Sequence, residues 1–228
     1  MLLNTLSKNI VLLFIGLSPM LAIAETTATP ATTLTTPSLH DLNGQQLYDI
    51  HPWMLTYYNG IGSKTSLIQI LSGNFVRWPE NVQSVELAKT LDENNWFRRL
   101  VSPLVGVVQL AGNVAIRHGK NENTIYEVDP YIAFRWANFP WNDYVTTSLA
   151  IGEGVSYASS VPWVEKRNNH NVRRLLNYLM LEATFAPPSY PQLQLIARIH
   201  HRSGAYGLYH AGNSGSNVLG LGIRYLFD

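Results

Sequence analysis

The stretch "TIYEVDPYIAFRW", residues 124 to 136, carries two chemistries in alternation. Successive side chains of an extended strand point to opposite faces. Tyr126, Val128, Ile132, Phe134 and Trp136 therefore share one face, and Glu127, Asp129 and Arg135 the other. A soluble strand averages ~5–6 residues, whereas ~9–11 tilted residues cross a bilayer. A strand this long, apolar and aromatic outside and charged inside, predicts a barrel whose solvent is lipid.

The pattern repeats on either side. In 104–117, Val108, Leu110, Val114 and Ile116 oppose Gln109, Asn113 and Arg117. In 215–227, Leu219, Leu221, Ile223, Tyr225 and Phe227 oppose Gly220, Gly222 and Arg224. The remaining candidates lie near 52–59, 82–91, 144–157, 173–186 and 192–203, which makes eight strands, an even number as single-chain barrels require. The fold class expected is all-β, an eight-stranded antiparallel transmembrane β-barrel of the outer membrane.

The connections alternate in length, as tight turns and larger outside loops of such barrels do. "NFPWND" (138–143) and "PPSYP" (187–191) are short, whereas 60–81, 158–172 and 204–214 are longer. The connection 92–103 breaks the alternation. In the first loop, "SKTSLIQIL" favours a short helix.

Glu127, Asp129, Arg117, Arg135, Arg174, Glu182, Arg198 and Arg224 are expected to pair within a narrow lumen, which argues against a general diffusion pore. The soluble alternative, a lipocalin-like barrel, would be apolar inside and polar outside. Against it, Tyr126, Phe134, Trp136, Trp141, Tyr144, Tyr225 and Phe227 gather near strand ends, as interfacial girdles do. The terminal "GIRYLF" resembles the C-terminal signal of outer-membrane barrels, although Asp228 follows its last aromatic residue.

Residues 1–24 carry a single charge, Lys8, the short apolar run "IVLLFIGL", and small residues at Ala22 and Ala24. This predicts a cleaved signal peptide and export. Residues 25–50 open with a Thr/Pro/Ala tract and are expected to form a flexible leader, leaving 51–228 as the barrel domain. Without Lys8 the chain has equal numbers of acidic and basic residues, so nothing calls for nucleic acid or a basic membrane-surface patch. The absence of cysteine excludes thiol chemistry.

If β-strand one leaves the periplasm, the strand near 192–203 ends at the cell surface. By parity, Arg198 and His200 point inward, with Arg202 near the rim where it can reach surface phosphates. His201 and Ser203 point outward. Asn217 shares the outward parity of Leu219 and Leu221 on the next strand. His201, Ser203 and Asn217 thus converge on one external patch.

A Ser/His pair can act as nucleophile and general base, with a third group fixing the imidazole. Asn217 can orient the ring without stabilising imidazolium as a carboxylate does. Asn213, or loop amides between Gly212 and Gly215, can serve as oxyanion donors. His-x-Ser alone is a weak motif, and interfacial polar residues ending a strand read the same way. Glu153, set between glycines, has outward parity unless a bulge turns it in. It replaces an acid only if the barrel brings it near His201. Glu182 and His200 belong to the lumen, and His118, His170 and His210 show no metal-ligand spacing.

From His201 to Phe227 the chain resembles the outer-membrane lipid A 3-O-deacylases, eight-stranded barrels with a His-x-Ser pair and an Asn-x-Gly-x-Glu loop. The resemblance implies Ser203 as nucleophile, His201 as base and Asn213 in the oxyanion hole beside Gly215. Asn217 stands where the family has its orienting acid. It further implies lipid A or a related outer-leaflet lipid as substrate, and no metal or cofactor. Gly204 replaces the family's asparagine after the serine, and the loop is about two residues longer. The whole chain also resembles a group of proteobacterial barrel proteins sharing "FPWNDYVTTSLAIGEGVSYAS" and "RLLNYLMLE", for which only a barrel is implied. A non-catalytic envelope barrel with a structural or surface-binding role is the alternative. A small-molecule channel ranks third because the lumen is filled with charge.

Overall fold

The computed structural model describes residues 43–228 except 121, 122, 169, 170 and 213. The expected signal peptide and most of the expected leader lie outside the described residues. The strands are β1 (Trp53–Ser63), β2 (Arg77–Thr90), β3 (Val107–Gly119), β4 (Ile125–Trp136), β5 (Thr146–Ala158), β6 (Leu175–Ala186), β7 (Leu193–Ser203) and β8 (Gly215–Phe227). Each pairs antiparallel with its chain neighbour, and β8 returns to β1 in continuous register from Trp53↔Phe227 to Ser63↔Asn217, closing the barrel. Closure leaves no unpaired sheet edge, the condition for strands to cross a bilayer.

The burial pattern follows the pleat. In β4, Glu127, Asp129, Tyr131, Ala133 and Arg135 are buried while Tyr126, Val128 and Trp136 are exposed. Leu87, Val114, Leu149, Leu195, Leu221 and Ile223 continue this apolar outer wall on other strands. An apolar exterior around a charged interior is the inverse of the lipocalin arrangement.

The lumen holds a connected ionic network. Glu182 takes Arg135 at 2.7 Å, Arg198 at 2.5 Å and Arg224 at 2.6 Å, and Glu86 takes Arg198 at 2.5 Å and Arg224 at 3.3 Å. Nearer the end where β1 finishes, here the upper end, Arg117 bridges Glu127 at 2.6 Å and Glu80 at 3.1 Å. Ions buried this deeply are tolerable only when paired and hydrogen-bonded. Glu80 and Glu86 were not foreseen in this set; Glu80 precedes the strand start expected near 82, whereas Glu86 lies within the expected strand and has the buried parity of Ser84 and Ala88.

Two expectations are corrected. Arg174 is exposed just before β6, and only its carbonyl faces the network, accepting from Arg202 at 2.8 Å. Arg202 is fully buried rather than at the rim, pairing with Glu127 at 3.2 Å and Glu165 at 3.4 Å. It points away from any surface phosphate.

Four short α-helices and a 3-10 turn at Ala205–Gly207 complete the described elements: α1 (Gly44–Ile50), α2 (Leu67–Leu71), α3 (Trp96–Val101) and α4 (Trp163–Asn168). Helix α2 is the one expected in the first long loop, started by Ser66, whose side chain accepts from Gln69 N–H. Helix α1 falls in the segment expected to be flexible. An Asn43–Gln46 capping box starts it, and its buried Tyr48 reaches inward to Ser148 Oγ at 3.0 Å, closing the lower mouth. The Thr/Pro/Ala composition that suggested a leader ends before these residues. Helix α3 occupies the irregular connection 92–103 and ties α1 down through Arg98 to Asp49 at 2.6 Å. No described helix is long and apolar enough to cross a membrane.

Candidate active site on the outer face

His201 and Ser203 lie two residues apart at the upper end of β7, half-buried on the outer wall, while Arg202 between them is buried in the lumen. Across the strand pair, His201 faces Asn217 and Ser203 faces Gly215. This register brings the imidazole Nδ1 within 2.6 Å of Asn217 Oδ1. The Asn217 amide nitrogen in turn donates to the Thr65 carbonyl at 2.9 Å.

That second bond fixes the chemistry of the first. An amide held by its nitrogen on a carbonyl must present its oxygen to the ring, so His201 carries its proton on Nδ1 and leaves Nε2 with a lone pair. Nε2 and Ser203 Oγ make no hydrogen bond with any described residue, each other included, and both side chains are half-buried on the same outer face. Thr65 lies in the loop after β1, where no periodicity marks it, and sequence reading missed it.

Gly215 is required where it stands. A Cβ there would meet the Arg202 carbonyl oxygen at 2.3 Å, so only glycine lets β8 approach β7 beside Ser203. Gly204, which takes the place of a family asparagine, is equally tight: a Cβ would lie 2.4 Å from the Gly212 carbonyl oxygen. Its N–H is already committed to the Ser214 carbonyl at 2.8 Å. Ala205, Tyr206 and Gly207 follow with positive φ, which folds the loop sharply above the site. Asn213, the other expected oxyanion donor, lies outside the described residues.

The patch extends to the other side of Ser203. Asn177 of β6 stands opposite Ser203, and its amide nitrogen hydrogen-bonds to Glu153 Oε1 of β5. Pairing of β4 with β5 keeps one register on both sides of Pro130, so no bulge turns Glu153 inward. Glu153 is level with Leu179, which is level with His201, placing it two strands, about 10 Å, from the imidazole. It therefore does not orient His201. Asn177 was not singled out from the sequence, although it interrupts the outward leucines 175, 179 and 181 and parity alone could have found it.

Tyr209, in the loop above, has its hydroxyl pKa raised by burial and, secondarily, by the nearby Glu153 carboxyl. Below the polar residues, Ile151, Leu181, Ile199 and Leu219 continue the apolar wall.

Inside the barrel, Glu127, Asp129 and His200 place ligand atoms within 4.8 Å of one another. Glu127 already receives Arg117, His200 and Arg202, so positive charge fills the position a cation would take. Glu182 and His200 sit in the lumen as expected. His118 accompanies Thr124 at 3.4 Å, and His210 is exposed in the loop above Ser203. His170 lies outside the described residues.

No family model and no curated protein matches the chain. Solved structures do. The outer membrane enzyme PagL matches at a TM-score of 0.50 and 13% identity, over 75% of this chain and 98% of that one. Neisserial surface protein A matches at 0.42 and 11%, over 77% of this chain and 96% of that one. The Yersinia pestis outer membrane protein Ail matches at 0.34 and 13%, over 76% of this chain and 99% of that one. The chain shares the eight-stranded fold of outer-membrane barrels.

Proposed function

We propose that this chain is an outer-membrane serine esterase that removes an ester-linked acyl chain from lipid A or a related outer-leaflet lipid. The observation that carries the reading is the Thr65–Asn217–His201 relay. It leaves His201 Nε2 with its lone pair on the face of β7 that Ser203 shares two residues on, at the upper margin of a lipid-facing wall. The sequence resemblance to lipid A 3-O-deacylases supports the same residues, and PagL, called an enzyme, shares the fold.

In this scheme a lipid lies against the wall with its ester carbonyl at Ser203. Nε2 takes the Ser203 proton as Oγ attacks the carbonyl carbon, and donors of the 212–215 loop, Asn213 and the Gly215 region, meet the developing oxyanion. Collapse breaks the ester C–O bond, and the lipid alkoxide leaves with the proton from His201. Water, deprotonated by Nε2, then cleaves the acyl-serine, releasing a fatty acid and restoring Ser203. Asn217 holds the ring and its tautomer. A neutral amide lends the imidazolium less than a carboxylate would, so turnover is expected to be slow. No metal or cofactor enters.

The neutral Asn217 is the observation that favours the second reading, a non-catalytic envelope barrel. A lipophilic fluorophosphonate applied to the barrel in detergent separates the two. Covalent capture at Ser203, lost in His201→Ala, supports the esterase; a barrel left unlabelled at Ser203 supports the envelope role.

A further inference from the structure

Glu153 stands on the outer wall of a strand that crosses the bilayer, five residues below the end of β5. A carboxyl in this position is costly, and ionisable groups at membrane depth mark function more often than structure. Among the described residues it has no cationic partner. Its one hydrogen bond with a described residue is the one Asn177 donates to Oε1, and no described residue bonds to Oε2. Asn177 shares its two amide hydrogens among Glu153 and the carbonyls of Gly154 and Tyr178, the last two at 3.1 Å, and no described residue donates to its Oδ1.

Two acceptors without a hydrogen-bond donor among the described residues therefore flank Ser203 on the far side of β7 from Asn217. Asn177 is one strand from Ser203 and Glu153 two, so the acceptors lie about 5–10 Å from the attacked carbonyl. Leu179 fills the position between Glu153 and His201, so the imidazole is not their donor.

We infer that Glu153 and Asn177 form the substrate-positioning edge of the Ser203 site. They accept a hydrogen bond from a hydroxyl or amide N–H that the lipid carries within about 10 Å of its scissile ester. The preferred substrate is a hydroxylated or amide-bearing ester lipid, and a lipid whose neighbouring chain lacks a donor binds more weakly. The inference rests on the esterase reading for the place of the ester, but its binding element is separable from turnover.

The test uses two synthetic glycolipid esters that differ by one acyl hydroxyl, titrated into nanodisc-embedded barrel. In Ser203→Ala, which cannot turn them over, the hydroxylated lipid is expected to bind about fivefold more tightly, the scale of one net hydrogen bond. Ser203→Ala/Glu153→Ala and Ser203→Ala/Asn177→Ala abolish that preference, while Ser203→Ala/Glu153→Gln, which keeps an acceptor oxygen, retains part of it. On the Ser203 protein, Glu153→Ala raises KM for the hydroxylated lipid with kcat little changed. Equal binding of both lipids by Ser203→Ala, or a preference that survives Glu153→Ala in a barrel with unchanged heat-modifiable mobility, overturns the inference. Preference without turnover in the Ser203 protein overturns the esterase reading and leaves the positioning edge standing as a lipid-binding site.

Discussion

Asn217 Oδ1 accepts from His201 Nδ1 across 2.6 Å while its amide nitrogen is held 2.9 Å from the Thr65 carbonyl. An amide in an acid's place usually fails because it can turn its NH2 to the ring and impose the wrong tautomer. Here the carbonyl of the first loop prevents that turn.

If the relay sets the base, Asn217→Ala lowers turnover of an ester lipid by about a hundredfold, at the lower end of what a positioned base contributes. Asn217→Asp supplies the missing charge and is expected to raise kcat above the natural protein. Steady-state kinetics in mixed micelles measure both. Equal rates in all three forms contradict the relay.

Gly215→Ala puts a methyl group against the Arg202 carbonyl. Relief requires β7 and β8 to part at the site, at a cost of roughly 1–3 kcal/mol, typical of overpacking. Urea unfolding in lipid vesicles reads the cost, and activity falls further than stability does.

The lumenal network can be separated from the patch. Glu182→Ala removes the one carboxylate that Arg135, Arg198 and Arg224 share, leaving Glu86 to Arg198 and Arg224 alone, a loss of about 3–5 kcal/mol by the usual cost of breaking a buried pair. The outer-face residues touch none of these groups, so esterase activity at low temperature is expected to persist. Vesicle unfolding and lipid turnover on the same preparation check both halves.

Glu165, on α4 in the upper loop, donates no charge to the wall but closes the lumen, its Oε1 accepting from Ser216 at 2.9 Å. Burial raises its carboxyl pKa, with Arg202 and Arg117 opposing. A raised folded pKa means the fold favours the protonated form. Its contribution is complete below the ordinary carboxylate range and is lost as pH rises through the raised value. Stability relative to Glu165→Gln is therefore expected to fall from acidic to neutral pH, as measured by urea unfolding at the two pH values. A difference that is flat with pH contradicts this.

Much of the fold is legible because the pleat forces period two on a wall with lipid outside and ions inside. The residues of 124–136 sort in the structure as they sort in the sequence, and the outward pair His201 and Ser203 follows from the same parity. Parity failed where strands ended: Arg174 lies before β6 starts, so its even number carries no direction. Arg202 points inward as its parity indicates, but it is buried rather than at the rim because Glu127 and Glu165 of α4 both pair with it. Thr65 and the inward reach of Glu165 come from loops, whose closure depends on contacts far apart in the chain. Helix α1 was concealed by the composition that precedes it, although Asn43 and Gln46 have the spacing of a cap.

Mass spectrometry of lipid A from a host outer membrane carrying this chain, beside one carrying Ser203→Ala, puts the esterase reading to its plainest test. The expected result is loss of one hydroxyacyl chain with the natural sequence and intact lipid A with the variant. Intact lipid A in both, with both barrels folded in the membrane, would contradict Ser203 as a nucleophile toward that lipid.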